Sequence, residues 1–193
     1  MSPPPDAPAQ RRVLVPVGDG SEEIEAVTII DVLRRAGAEV TVASVTGAHE
    51  VRCSRGVRLV TDVLVEDCRG DPWDLVVLPG GMPGAEALRD SSALTRLLHA
   101  HVAAGKELGA ICAAPAVTLA PHGLLDGRRA TCHPGFFDRL DPDRRSEERV
   151  VEDGPLVTSR GPGTALEFAL TLVERLFGRA RRDEVAGPML PPT

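Results

Sequence analysis

The chain has no tyrosine, one tryptophan and four phenylalanines in 193 residues, and 28 acidic side chains outnumber 22 basic ones for a formal charge of −6. A chain this poor in aromatic rings and basic surface lacks the stacking platforms and electrostatic footprint of nucleic-acid binding, so no nucleic-acid-binding domain is expected. No run approaches the roughly 18 consecutive apolar residues of a membrane span, and no membrane association is expected. Residues 1–11 (MSPPPDAPAQR) hold no apolar stretch and read as a short disordered arm, not a secretory signal. The cysteines, Cys53, Cys68, Cys112 and Cys132, form no CxxC pair and match no zinc spacing. They are expected to be free thiols in a reducing compartment, the cytoplasm, with no metal. The glycines at 18–20 and 161–163 lack the dinucleotide-binding spacing and no Walker sequence occurs, so no cofactor is expected.

What is present is alternation. Residues 13–17 (VLVPV), 40–45 (VTVASV), 74–78 (DLVVL) and 108–111 (LGAI) are short apolar runs of the kind buried on both faces of a sheet. The spacing predicts helices from 21 to 36, with Ser21 as cap and Gly37 as stop, and over 92–105, 115–122 and 164–177. On the first helix, Ile24 and Val27 are expected to point to the core and Glu22 and Glu23 to solvent. Residues 51–60 and 149–159 read as hairpins, 129–132 as a strand, and 186–193 as a tail too rich in proline for a regular helix. With no internal repeat and no linker, 12–185 form one domain, an α/β sandwich with a mostly parallel central sheet. In such folds ligands bind beyond the carboxyl ends of the strands, so chemistry is sought there.

Cys112 stands where a strand runs straight into a helix, between Gly109-Ala110-Ile111 and Ala113-Ala114-Pro115. Small neighbours permit the sharp turn of a nucleophile elbow, with Cys in place of Ser. A helix N-terminus lowers a thiol's pKa and makes it nucleophilic; equally, Cys is a common buried residue. Glu25, early on the first helix, is either a surface carboxylate or an active-site acid, and surface is the commoner fate. His133, at a strand end before Pro134, is an acid/base candidate. His49, His99, His101 and His122 have no such setting and are expected in solvent. The Gly80-Gly81 amides after Pro79 offer an oxyanion site.

The set LPGGMPGA (78–85), AICAAP (110–115), CHP (132–134) and TSRGPGT (158–164), with GSEEIEA (20–26), DVLRRAG (31–37) and VRCSRGV (51–57), resembles the ThiJ/PfpI superfamily. It is most similar to the branch of the human Parkinson disease protein 7. The resemblance covers nearly the whole chain, from residue 12 to 177. It implies a flavodoxin-like three-layer sandwich that forms a homodimer, with Cys112 as nucleophile. Glu25 would be its protonated partner, His133 the nearby histidine, and Gly81 and Ala113 the oxyanion amides. It further implies Cys53 near the dimer interface and Arg55 and Arg160 around the pocket. The implied activity is a cofactor-independent glyoxalase III type lyase that acts on methylglyoxal or glyoxal, also described as a protein and nucleotide deglycase. The alternative is a redox-sensing, stress-protective chaperone acting through Cys112 oxidation. Two departures stand out. Ala113 occupies the position where protease-like members carry histidine, which argues against a Cys-His peptidase. The proline-rich tail replaces the helix that closes the human-type site.

Overall fold

The computed structural model describes residues 10–68 and 70–191. The expected arm lies almost entirely outside the described residues; only its last two, Gln10 and Arg11, are included, ahead of the first strand.

Seven strands form one sheet in the order β5-β2-β1-β6-β7-β9-β8. They are β1 (Arg12–Val17), β2 (Glu39–Ser44), β5 (Val63–Leu64), β6 (Leu75–Leu78), β7 (Glu107–Ile111), β8 (Val150–Asp153) and β9 (Leu156–Ser159). All neighbours run parallel except β8, which closes one edge as the antiparallel half of a hairpin with β9. A separate hairpin, β3 (Glu50–Arg52) with β4 (Arg58–Val60), pairs antiparallel as its sequence predicts. Helices cover both faces: α1 (Glu23–Arg35), α4 (Ala165–Phe177) and α5 (Arg179–Met189) on one, α2 (Gly84–Asp90) and α3 (Ser92–Ala103) on the other. This is the three-layer, flavodoxin-like sandwich with a mostly parallel sheet. The alternation of β1 shows why. Val13, Val15 and Val17 enter the core under α1 and α4, Leu14 enters the opposite one, and all four are fully buried. Burying one such side chain is worth about 2 kcal/mol.

Strand order reverses beside β1, where β2 lies on one side and β6 on the other. Such a reversal leaves a crevice at the carboxyl ends of the strands. The loops after β1, β6 and β7 meet there.

Several local expectations need correction. Ser21 does not cap α1; its hydroxyl accepts the Gly18 N–H at 3.0 Å within the loop, and Glu22 is the cap. Glu23 is buried, while Ile24 and Val27 are 55% and 46% exposed, because the helix turns its glutamate face inward. Residues 115–122 are not a regular helix but a wide π turn (Pro115–Leu119) followed by a 3-10 turn (Ala120–His122). Such wide turns recur at functional sites. Residues 129–132 form no strand, only an isolated bridge between Ala130 and Arg145. His101 is buried, its Nε2–H donating to the Glu107 carbonyl at 2.7 Å, and burial lowers its pKa. The tail is helical as far as Met189. Pro188 falls in the last turn of α5, where a missing N–H costs at most one bond, and Val185 and Ala186 pack into the core shared with α1 and α4.

Candidate active site

Cys112 begins where β7 ends, with φ of 63°, a left-handed conformation that a non-glycine residue adopts only under constraint. Two hydrogen bonds supply the constraint. The Cys112 N–H donates to the Ser159 carbonyl on β9 at 2.9 Å, and the Cys112 carbonyl accepts the His133 N–H at 2.8 Å. The elbow is therefore clamped to its neighbouring strand and to the loop that carries the histidine. Gly80 fits beneath it because a Cβ there would stand 2.6 Å from that of Cys112 and 2.8 Å from the Ala113 nitrogen. Gly81, at φ of +89°, packs its α-carbon against the backbone of Gly20 to Glu22, which locks the loop after β6 to the start of α1.

Glu25 is fully buried. Its Oε2 accepts the Gly80 N–H at 2.8 Å, so that amide is spent on the carboxyl and only Gly81 and Ala113 remain for the sulfur. Oε1 has no nitrogen or oxygen partner among the described residues, and the carboxyl lies within hydrogen-bonding reach of the Cys112 thiol. Burial raises the Glu25 pKa to about 7, against the opposing pull of the Gly80 amide and Cys112. Burial, then the charge of Glu25, push the Cys112 thiol up to about 12, while the Gly81 and Ala113 amides pull it down. A helix N-terminus alone therefore does not make this thiol acidic. Each anion disfavours the other, so the pair gives up its first proton only near pH 7 and above that holds one proton between the two groups. The thiolate forms when that proton sits on Glu25, and the two amides favour this arrangement.

Cys112 opens into a cavity of about 300 Å³ that Glu22, Ser54, Arg55, Met82, His133 and Phe136 help to line. A roomier hollow of about 420 Å³ lies against Trp73 and His101, but it contains no elbow. His133 Nδ1 accepts the Gly135 N–H at 3.1 Å. A ring that accepts at Nδ1 is neutral and carries its proton on Nε2, so His133 offers the cavity a donor.

The structure thus brings Cys112, Glu25, Gly81, Ala113, His133 and Arg55 to one place. It does not bring Arg160. That guanidinium lies over the Phe137 ring at 5.5 Å and donates to the Glu147 carbonyl at 2.9 Å, and it does not line the cavity. Cys53 is buried in the turn of the β3–β4 hairpin. Cys132 is fully buried in the opposite core layer. Sequence reasoning missed the support under Arg55. Glu23, expected in solvent, accepts the Ser54 hydroxyl at 2.7 Å and the Arg55 N–H at 2.8 Å. The only available signal was the coincidence of SEE and CSR, which are 32 positions apart. Among the described residues no group of three or more His, Cys, Asp or Glu side chains is arranged to hold a metal ion, and no helix is long and apolar enough to cross a membrane.

A family model described as the DJ-1/PfpI family matches residues 11–175, which include every residue of this cavity. The chain belongs to the DJ-1/PfpI family. It is 51% identical to Protein DJ-1 homolog B of Arabidopsis thaliana over 88% of its length, yet spans only 39% of that plant protein. It is 37% identical to the Glutathione-independent glyoxalase DJR-1.2 of Caenorhabditis elegans, covering 92% of this chain and 94% of that one. Among solved structures it superposes on oxidized Toxoplasma gondii DJ-1 with a TM-score of 0.93 at 50% identity, over 95% of this chain and 100% of the other. In this DJ-1/PfpI chain the segment after α4 is the helix α5, despite Pro188.

Proposed function

We propose that this chain is a glutathione-independent glyoxalase that converts methylglyoxal to lactate and glyoxal to glycolate. The observation that carries the proposal is the buried Glu25 carboxyl within hydrogen-bonding reach of the Cys112 thiol, beneath the Gly81 and Ala113 amides, in a small cavity. The worm relative that bears this activity in its name supports it.

The Cys112 thiolate adds to the aldehyde carbon, forming a C–S bond, and the new alkoxide rests against the two amides. Glu25 gives its proton to that oxygen. The resulting carboxylate removes the C–H proton from the former aldehyde carbon, and the electron pair moves to the adjacent carbonyl. His133, with its proton on Nε2, donates to the oxygen where charge then develops. Glu25 returns the proton to the second carbon while the hydroxyl on the first carbon passes its proton by way of His133 to the second oxygen, which leaves a thioester on Cys112. Water hydrolyses the thioester and releases the hydroxy acid and the thiol. In this sequence Glu25 is the base and His133 the donor. Arg55, held by Glu23 beneath it, faces the incoming dicarbonyl.

The test is lactate formation from methylglyoxal by purified protein without glutathione. Cys112→Ala should lower turnover at least about a thousandfold, the scale of losing a covalent nucleophile. Turnover that survives the substitution overturns the assignment. Protein and nucleotide deglycation would use the same thiolate. It is separated from scavenging of free dicarbonyl by following a preformed adduct while free methylglyoxal is trapped.

One observation favours a second role. Cys112 is the most exposed of the four cysteines, at 8% in the cavity wall, and a solved neighbour is an oxidized DJ-1. A redox-sensing chaperone acting through Cys112 would therefore share the site. We also place the chain in a homodimer with the α1 face at its interface, as Ile24 and Val27 expose apolar surface there.

A further inference from the structure

The segment that carries His133 continues as the 3-10 turn Pro134–Arg139, which presents a different surface behind the cavity. Phe136 lines the Cys112 cavity on one side; on the other, the Arg139 guanidinium carbon lies 5.1 Å from its ring centre. Arg139 in turn lines a second cavity of about 270 Å³, together with Arg128, Arg144 and Arg145.

Four arginines against two aspartates, Asp126 and Asp141, are unexpected on a chain with a net charge of −6. Elsewhere on the surface arginines are largely matched with carboxylates. Among the described residues, Arg139, Arg144 and Arg145 form no salt bridge, whereas Arg128 pairs with Asp153 at 3.9 Å. The Asp141 carboxylate is turned to its own chain, accepting the Asp143 N–H at 3.0 Å. The frame beneath the arginines is tied down. The Ala130 N–H donates to the Arg144 carbonyl at 3.2 Å, the Ser146 N–H donates to the Ala130 carbonyl at 2.8 Å, and both the Arg144 and Arg145 amides return to the Asp141 carbonyl. Leu125 and Leu140 are buried and supply an apolar floor.

We propose that this basin is a binding site for a small phosphorylated molecule, with Arg139, Arg144 and Arg145 holding its phosphate oxygens. Guanidinium forks match phosphate in geometry and charge, and each such bond is stronger than a neutral one. The two aspartates at the rim disfavour an extended polyanion, so the ligand is a compact anion and not a nucleic-acid strand. The site is distinct from the Cys112 cavity, although Arg139 lies over the Phe136 ring that lines that cavity.

Inorganic pyrophosphate titrated into the full chain by calorimetry at fixed ionic strength tests this. One molecule should bind per chain with submillimolar affinity, and an Arg144→Gln, Arg145→Gln double variant should weaken binding about tenfold or more. Both side chains are exposed, so the variant should keep the wild-type circular dichroism and unfolding midpoint. Arg55→Gln, in the Cys112 cavity, should leave the affinity unchanged. Three results overturn the proposal: no binding, binding lost in Arg55→Gln but retained in the double variant, or sulfate binding as tightly as pyrophosphate. Binding is measured without any turnover, so failure here is separate from failure of the glyoxalase reading.

Discussion

Local patterning put Glu25 at the surface, since a glutamate in a helix's first turn is ordinarily solvated, and only the family resemblance named it as the partner of Cys112. Its neighbours decide the matter: the Gly80 amide, the Cys112 sulfur and the core side of α1 leave it no water. The energetic consequence is testable. The folded chain keeps Glu25 protonated up to about pH 7, whereas the unfolded chain releases that proton near 4.5. Between those values the native state binds more protons, so stability falls as pH rises, by about 3 kcal/mol in all. Glu25→Gln cannot ionise and removes this slope. Urea unfolding at pH 4.5 and pH 8 should show the variant losing about 3 kcal/mol less than wild type over the interval. Equal losses would put the carboxyl in water.

Among the elements, those with strong periodicity were legible and those made by tertiary contact were not. The strands β1, β2, β6 and β7 announce themselves as apolar runs because each is buried on both faces. Helix α5 does not, since only Val185 and Ala186 of its eleven residues are buried and Pro188 lies within it. What holds it is a clasp. The Arg181 guanidinium donates to the Ala36 carbonyl at 3.0 Å and the Arg35 carbonyl at 3.1 Å, and so satisfies the open end of α1. Arg181→Ala should cost about 1–3 kcal/mol, because it removes charge-assisted bonds to helix-terminal carbonyls. A lowered thermal midpoint, with α1 and α5 amides exchanging faster than those of β7, is the expected result. The stretch 129–132 failed as a strand for the converse reason: β8 and not this segment pairs with β9, so it has no ladder to join.

For the molecule as a whole, the two apolar side chains that the sequence assigned to the core, Ile24 and Val27, lie outside it. Amphipathic spacing cannot tell a face packed on the sheet from one awaiting a second copy, because both are apolar. If a second copy covers this face, Val27→Asp should convert a species of twice the monomer mass to monomer in sedimentation equilibrium without loss of helical circular dichroism. A wild-type chain that sediments as monomer, or a variant that remains dimeric, would remove α1 from the interface.

The sequence by itself determined the α/β alternation, the elbow at Cys112 and the motifs that mark the family, because these depend on local periodicity, turn chemistry and residue identity. Only the tertiary structure decided how Glu25 is buried against the thiol, that Gly80 serves Glu25 while Gly81 faces the sulfur, and that Arg160 stacks on Phe137 away from the cavity. Those choices rest on desolvation and on distances between residues far apart in the chain. Four cysteines of equal standing in the sequence were separated in the same way, by where the fold puts them: Cys112 in the wall of the candidate active-site cavity, Cys68 against the hollow beside Trp73, Cys53 in the hairpin turn and Cys132 in the core.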